Sequence, residues 1–251
     1  MTFAPMLAAR ALIDARKKGC RLEKLPKELQ PISEAEACAI QDAVAKTLGP
    51  VFAWKVGSAT AESEPFRAPI HRHTLFAGRT TISAEMFHVI GVEAEIVYQF
   101  GRDLPPEGAP YSREAVLDAV CSMMPGIEVV DTRFEVFGSC DPLVHRADQG
   151  NHGALILGEP LLTWRSLDPI VLPVRLEING VVAFETIGGN SAVDPVRLLV
   201  WLANQGSHSL GGVRAGQVVT TGSCTGTIFV EAGASLQATF SRLGSLSLTI
   251  V

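Results

Sequence analysis

The chain of 251 residues lacks what would take it to a nucleic acid, a membrane or an oxidising compartment. Its 21 lysines and arginines stand against 26 acidic residues, a formal charge of −5, so no basic excess exists to follow a phosphate backbone. Apolar residues make up 47% of it. Yet no uninterrupted apolar run approaches the roughly 20 residues of a membrane span, so the excess implies a large core or buried subunit contacts. The five cysteines (Cys20, Cys38, Cys121, Cys140 and Cys224) are odd in number and scattered. Without a close pair at metal-ligand spacing, they read as reduced thiols, mostly small buried residues. The opening stretch has no secretory apolar segment, because Arg10, Asp14 and Arg16 interrupt it. The expected location is cytoplasmic. No fixed-period repeat, G-x-G-x-x-G turn, phosphate-binding P-loop or G-x-S-x-G elbow is present, which removes the chemistries built on those turns.

What is present begins as helix. Leu7, Ala11, Leu12 and Ala15 share one helical face between Ala4 and Lys18, and Gly19 is placed to end it. Ser33 reads as the cap of a second helix, with Glu36 at the reciprocating capping-box position. That helix runs through Ile40, Val44 and Leu48 to Gly49-Pro50. From Val51 the pattern changes. VFAWKVG is a strand carrying Lys55 among apolar neighbours. A buried ammonium is costly unless paired, so Lys55 either meets a carboxylate inside or reaches water from an edge strand. SATAESEPFRAPIHRHTLF reads as an irregular loop with room to act as a lid. Its His71 and His73 have no cysteine or third histidine nearby to make a zinc site.

Further on, Ser112 caps an expected helix, REAVLDAVCSM, and GIEVVDTRF returns to strand. GSCDPLVHRADQGNHGALILG reads as a polar loop running into a short strand. Asn179-Gly180 between two alternating runs predicts a hairpin with a type I′ turn. A helix from Pro195 offers Leu198, Leu199, Leu202 and Ala203 to the core, and the remainder reads as successive strands. The chain is thus expected to be α+β, with a helical segment over residues 1–50 and a mixed, mostly β body over 51–251.

The run from Gly91 to Leu104 organises the rest. As a strand it points Glu93, Glu95, Val97 and Gln99 to one face and Val92, Ala94, Ile96 and Tyr98 to the other. Two glutamates alone describe a half-buried strand with a solvated acidic side. A third, Glu128, lies in the strand-like GIEVVD. Three carboxylates without histidine or cysteine form a hard-oxygen donor set, suited to Mg2+ or Mn2+ rather than zinc. Such a set leaves about three octahedral positions open, two of which a 2-oxo acid can fill. The ion would then stabilise charge developing on the keto oxygen.

Six motifs occur in order: WKVGSAT, GVEAEIVYQFGRDL, GIEVVDTRF, RADQGNHGALILG, WLAN and VVTTGSCTG. Together they resemble the 2-oxopent-4-enoate hydratase and 4-oxalocrotonate decarboxylase branch of the fumarylacetoacetate hydrolase superfamily, over nearly the whole chain. The resemblance implies a distorted mixed β-barrel or β-roll preceded by helices, in a homo-oligomer. It implies Mg2+ or Mn2+ held by Glu93, Glu95 and Glu128, a catalytic Lys55 in the site, and Thr221-Gly222-Ser223 lining the pocket near the substrate carboxylate. The implied reaction adds water to a 2-hydroxy-2,4-dienoate, giving a 4-hydroxy-2-oxo acid in aromatic-compound catabolism. The alternatives are decarboxylation of a 2-oxo-3-enedioate, hydrolytic C–C cleavage of an acylpyruvate, and a non-catalytic family member. Partners are then a small 2-oxo or 2-hydroxydienoic acid, with neither nucleic acid nor membrane. The chain departs from the pattern at Ala147-Asp148-Gln149, where family members often read A-D-N, and at His152, which replaces a later asparagine. It departs again at Phe66-Arg67, where several hydratases carry an acid after the proline. Asp148, Gln149, His152 and Arg67 are accordingly substrate-binding candidates, with Arg67 or Arg72 for a second carboxylate.

Overall fold

Pro5 opens α1 (Pro5–Lys18), and Gly19 ends it in left-handed backbone at φ 65°. The computed structural model describes residues 3–251. Ser33 caps α2 (Glu34–Leu48) by accepting the Glu36 amide. The Glu36 carboxylate returns not to Ser33 but to the amide of Ile32, at 2.8 Å. The two helices share a cluster of their own, in which Ala8, Leu12, Ile40 and Val44 pack with Phe134, Val144 and Ala147 from the body. The small alanines let the backbones come close.

Among the described residues, thirteen strands form the body: β1 (Val51–Gly57), β2 (Phe66–His71), β3 (Leu75–Ala77), β4 (Thr80–Ile82), β5 (Gly91–Phe100), β6 (Val120–Val130), β7 (His152–Leu157), β8 (Pro173–Ile178), β9 (Val181–Ile187), β10 (Val218–Ser223), β11 (Ile228–Phe229), β12 (Ser235–Phe240) and β13 (Gly244–Ile250). Three short helices interrupt them: α3 (Arg113–Ala119), α4 (Pro142–Ala147) and α5 (Pro195–Trp201). The larger sheet runs β2-β1-β10-β5-β6-β7-β3 with β11 beside β5, and the smaller β4-β13-β12-β8-β9. Parallel pairs β1–β10, β3–β7 and β4–β13 make both sheets mixed. Val92, Ala94, Ile96 and Tyr98 face Leu176, Leu236, Phe240 and Leu248 across one core between the sheets. The architecture is the α+β roll expected. On its other face the larger sheet carries a smaller cluster that includes Ala53, Val97, Met124 and Leu155. Among the described residues, no helix is long and apolar enough to cross a membrane.

The Asn179-Gly180 hairpin forms with both turn residues at positive φ, 53° and 78°. Other expectations are corrected. Part of the supposed lid, Phe66–His71, is β2, paired antiparallel with β1. Pro69 disguised it; an edge strand tolerates a residue without an N–H, and β2 is that edge. β1 is therefore interior, which places Lys55 inside the protein. The helix REAVLDAVCSM stops at Ala119, and Val120 begins β6, because pairing of β6 with β5 along nearly its whole length outweighs local helix preference. The polar loop hides α4, which Asp141 caps and Pro142 opens. α5 continues through a π turn over Leu202–Gly206.

A candidate metal centre on the larger sheet

Strand parity and register bring the acids together. Glu93 and Glu95 share a face of β5, and antiparallel pairing sets Glu128 of β6 directly opposite Glu93. The three carboxylates offer oxygen atoms that all lie within 4.8 Å of one another. Glu95 and Glu128 are fully buried, and Glu93 is half-buried. Like charges opposite one another destabilise a sheet, and burial makes this worse. Burial, then the charges of Glu128 and Glu93, push the Glu95 carboxyl well above its ordinary range. Burial also raises that of Glu128, against the opposing pull of Lys55.

Each carboxylate has partners from several strands. Glu95 Oε2 accepts the Gly222 amide at 2.9 Å and the Thr220 hydroxyl. Gly222 sits at φ 86°, where the register of β10 slips against β5, and this left-handed step aims its amide at Glu95. Glu93 accepts the Thr227 hydroxyl. Glu128 Oε1 meets His152 Nδ1 at 3.0 Å, and Oε2 lies 3.0 Å from Lys55 Nζ. Lys55 also donates to the Gly150 carbonyl at 3.0 Å. Burial pulls the Lys55 ammonium down, but Glu128, Glu93 and Glu95 outweigh it and leave the group above its ordinary value. Burial, followed by Arg16, Lys55 and Arg133, drives His152 far down, so its ring is neutral. With Nδ1–H donating to the carboxylate, its Nε2 accepts from Thr74 Oγ1 at 3.0 Å.

The donor set fits a divalent ion on two counts. Glu95 Oε1 is buried with no hydrogen-bond partner, a position that a cation would satisfy. Once ionised, the three carboxylates, opposed among the described residues by Lys55, would carry two negative charges in excess, the charge such an ion brings. Hard carboxylate oxygens suit Mg2+ or Mn2+. His71 and His73 are not part of it: their rings stack at 6.2 Å, and His71 Nδ1 is 3.2 Å from the Pro50 carbonyl.

The remaining sequence candidates divide. Lys55, His152 and Gly222 touch the glutamates directly. Ser223, paired with Glu95 across the strands, is half-buried beside them. Thr221 turns its hydroxyl away to the Ile96 carbonyl at 2.9 Å. Asp148 is buried against Arg133, and Gln149 donates to the Pro69 carbonyl at 3.0 Å. Arg67 requires correction. Its cross-strand partner is Val56, not Lys55, so it emerges on the opposite face. There it lies 5.5 Å over Trp54 and bonds Asp42, Gln41, Ser209 and the Gly206 carbonyl. Thr220, Thr227 and Thr74 were missed. Thr220 had a faint signal in the VVTT run; a hydroxyl far along the chain from Glu93 had none.

The model of the fumarylacetoacetate (FAA) hydrolase C-terminal family matches residues 31–251. The chain is 28% identical over 173 residues to the 2-keto-4-pentenoate hydratase of Paraburkholderia xenovorans (strain LB400), a match taking in 68% of this chain and 62% of that protein. To the 4-oxalocrotonate decarboxylase of Pseudomonas putida it is 30% identical over 138 residues, 54% of this chain and 51% of that protein. The matched region thus spans about three-fifths or less of these relatives' own length. The 4-oxalocrotonate decarboxylase from Pseudomonas putida G7, complexed with magnesium and adipate, superposes with a TM-score of 0.87. The superposition covers 98% of this chain and 97% of that one at 21% identity, a likeness of fold. Fumarylpyruvate hydrolase from Pseudomonas aeruginosa, in complex with Mn2+ and pyruvate, gives 0.57 at 17% identity over 79% of this chain and 88% of that one.

Proposed function

Because the chain belongs to the fumarylacetoacetate hydrolase C-terminal family, we propose that it is a divalent-metal-dependent hydratase of 2-hydroxy-2,4-dienoates, yielding 4-hydroxy-2-oxo acids in aromatic-compound catabolism. The observation that carries this reading is the buried three-glutamate cluster with its unpartnered oxygen. The curated relatives, by name 2-keto-4-pentenoate and 2-hydroxyhexa-2,4-dienoate hydratases and 4-oxalocrotonate decarboxylases, support it.

Glu93, Glu95 and Glu128 would hold Mg2+ or Mn2+, which when bound supplies Lewis-acid stabilisation of negative charge at the substrate's C2 oxygen. Lys55, fixed by Glu128 and the Gly150 carbonyl, holds the substrate carboxylate as a charged ammonium. The dienol gains a proton at C5 and loses that of its 2-hydroxyl, so that a conjugated ketone results and water adds across C3 and C4. Ser223 and the amides of its turn orient the carboxylate. His152, neutral and braced by Thr74, keeps Glu128 aimed at the ion. The exposed apolar residues of edge strand β9, with Val181 69% and Ile187 70% exposed, support assembly into a homo-oligomer.

Decarboxylation of a 2-oxo-3-enedioate is the second reading, favoured by the absence of an acid at Phe66 and by the decarboxylase relatives. It needs a cation for the second carboxylate. The commitment of Arg67 to Asp42 on the far face weighs against it. The test is purified protein with Mg2+ or Mn2+ and 2-hydroxypenta-2,4-dienoate. Loss of the conjugated ultraviolet band without gas release is expected. Carbon dioxide released from a 2-oxo-3-enedioate moves the assignment to decarboxylase, and inertness towards both substrates overturns it.

A further inference from the structure

A cavity of about 570 Å3 lies away from the glutamates. It lies between the two N-terminal helices and the body, and neither Lys55 nor any of the three acids lines it. Its size falls in the range of small-molecule sites, roughly 300–1,000 Å3. Its wall is largely apolar, with Leu12, Ile13, Val44 and Leu48 on the helical side.

The charges around it are mostly spoken for. Asp148 is bound by the Arg133 side chain and amide. Asp131 accepts the amides of His88 and Val89 and stands 3.7 Å from Arg133. Lys18 pairs with Asp14. Arg16 is different. Among the described residues its guanidinium has no carboxylate within ion-pair distance, and its one hydrogen bond goes to the carbonyl of His152. Burial, then Arg133, lowers it to about 9, so it remains protonated at neutral pH. A guanidinium without a directly paired carboxylate, on the wall of a largely apolar cavity, is the arrangement that recognises a carboxylate with a hydrocarbon tail. A dianion such as phosphate fits poorly, because Asp131 and Asp148 share the wall.

We propose that this cavity is a second ligand site, taking a small monocarboxylate whose head pairs with Arg16 and whose chain lies along Leu12, Ile13, Val44 and Leu48. Thr74 lines the same cavity and braces His152, whose carbonyl Arg16 holds and whose ring meets Glu128. A ligand there therefore touches both supports of a residue in the glutamate cluster. The site itself stands independently of whatever that cluster binds.

The test is calorimetric titration of the whole protein with octanoate, hexanoate and octanamide. One octanoate per chain is expected, about tenfold tighter than hexanoate from its two extra methylenes and at least about tenfold tighter than the uncharged amide. Glu95→Gln, which cripples the glutamate cluster, should leave the affinity unchanged, whereas Arg16→Gln should weaken it about tenfold or more. Should Arg16→Gln fail to fold, Leu48→Trp fills the cavity from a half-exposed helix position and should abolish binding. No binding to the unaltered protein, binding insensitive to both cavity substitutions, or binding lost with Glu95→Gln overturns the proposal.

Discussion

Replacing Lys55 by Met tests the charge balance of the glutamate cluster directly. The substitution keeps an unbranched chain of similar length and removes only the ammonium. In the metal-free protein that group is, among the described residues, the sole cation in contact with Glu128 Oε2, at 3.0 Å, and it is 6% exposed. Removing one partner of a buried ion pair leaves an uncompensated charge and costs roughly 3–5 kcal/mol. A divalent ion brings two charges to the same oxygens, so in loaded protein the penalty should shrink to that of the lost hydrogen bond to Gly150, about 1 kcal/mol. Urea unfolding of both proteins, in chelator and in excess Mg2+, reads the difference at pH 8. Since domains of this kind are stable by about 5–15 kcal/mol, a gap of a few is well resolved. Equal losses with and without metal would refute the claim that the ion and the ammonium neutralise one set of carboxylates. Turnover should fall further than metal affinity does.

The other predictions use separate contacts. Glu95→Gln should leave the fold intact while abolishing metal-dependent turnover and weakening Mn2+ binding, followed by electron paramagnetic resonance; full retention of both removes Glu95 from the ion. The metal-free protein should lose stability as pH rises. Glu95 and Glu128 are both raised in the folded state, so their contribution is complete below the ordinary 4.5 and is lost as pH climbs through the folded values, about 7 for Glu128. Thermal unfolding in chelator from pH 5 to pH 8 checks the sign, and a melting temperature rising over that window contradicts it. Arg67→Met should cost roughly 3–5 kcal/mol, because it strands Asp42 beneath a buried partner, yet leave KM for the dienoate within about twofold. A large KM effect with unchanged stability would return Arg67 to the substrate.

How far the site was legible depended on parity. Alternation along Gly91–Phe100 places Glu93 and Glu95 on one face, and the ordered motifs add Glu128. The opposition of Glu93 and Glu128 is a matter of register, set by the connection through α3 and by the whole β5–β6 ladder, which no local pattern reports. Lys55 stayed ambiguous because its neighbour β2 was hidden by Pro69; once β2 is a strand, β1 is interior and the ammonium needs a partner. The same oversight misplaced Arg67. In a loop it could swing anywhere, whereas in an antiparallel strand facing Val56 it is committed to the side away from Lys55. Helix α4 carried its own signal in Asp141-Pro142, a cap followed by a first-turn proline, but it is only six residues long and gave no periodicity to read.

The cluster imposes a cost that only binding relieves. Three strands, β5, β6 and β10, are held in register around oxygens that repel one another, and burial with that repulsion holds the Glu95 and Glu128 carboxyls above their ordinary range. Nothing in packing offsets this on that face, where the apolar cluster is small beside the main core. A bound ion therefore contributes to folding as well as to chemistry: at a hundred times its dissociation constant, it adds about 2.7 kcal/mol. The His152 and Thr220 contacts, which lock the carboxylates in place before any ion arrives, mean that little of this energy is spent on reorganising side chains. Preorganised acids that destabilise the empty protein are what a centre needs if it is to bind a weakly held, strongly hydrated ion such as Mg2+ through three ligands and still leave positions for a substrate.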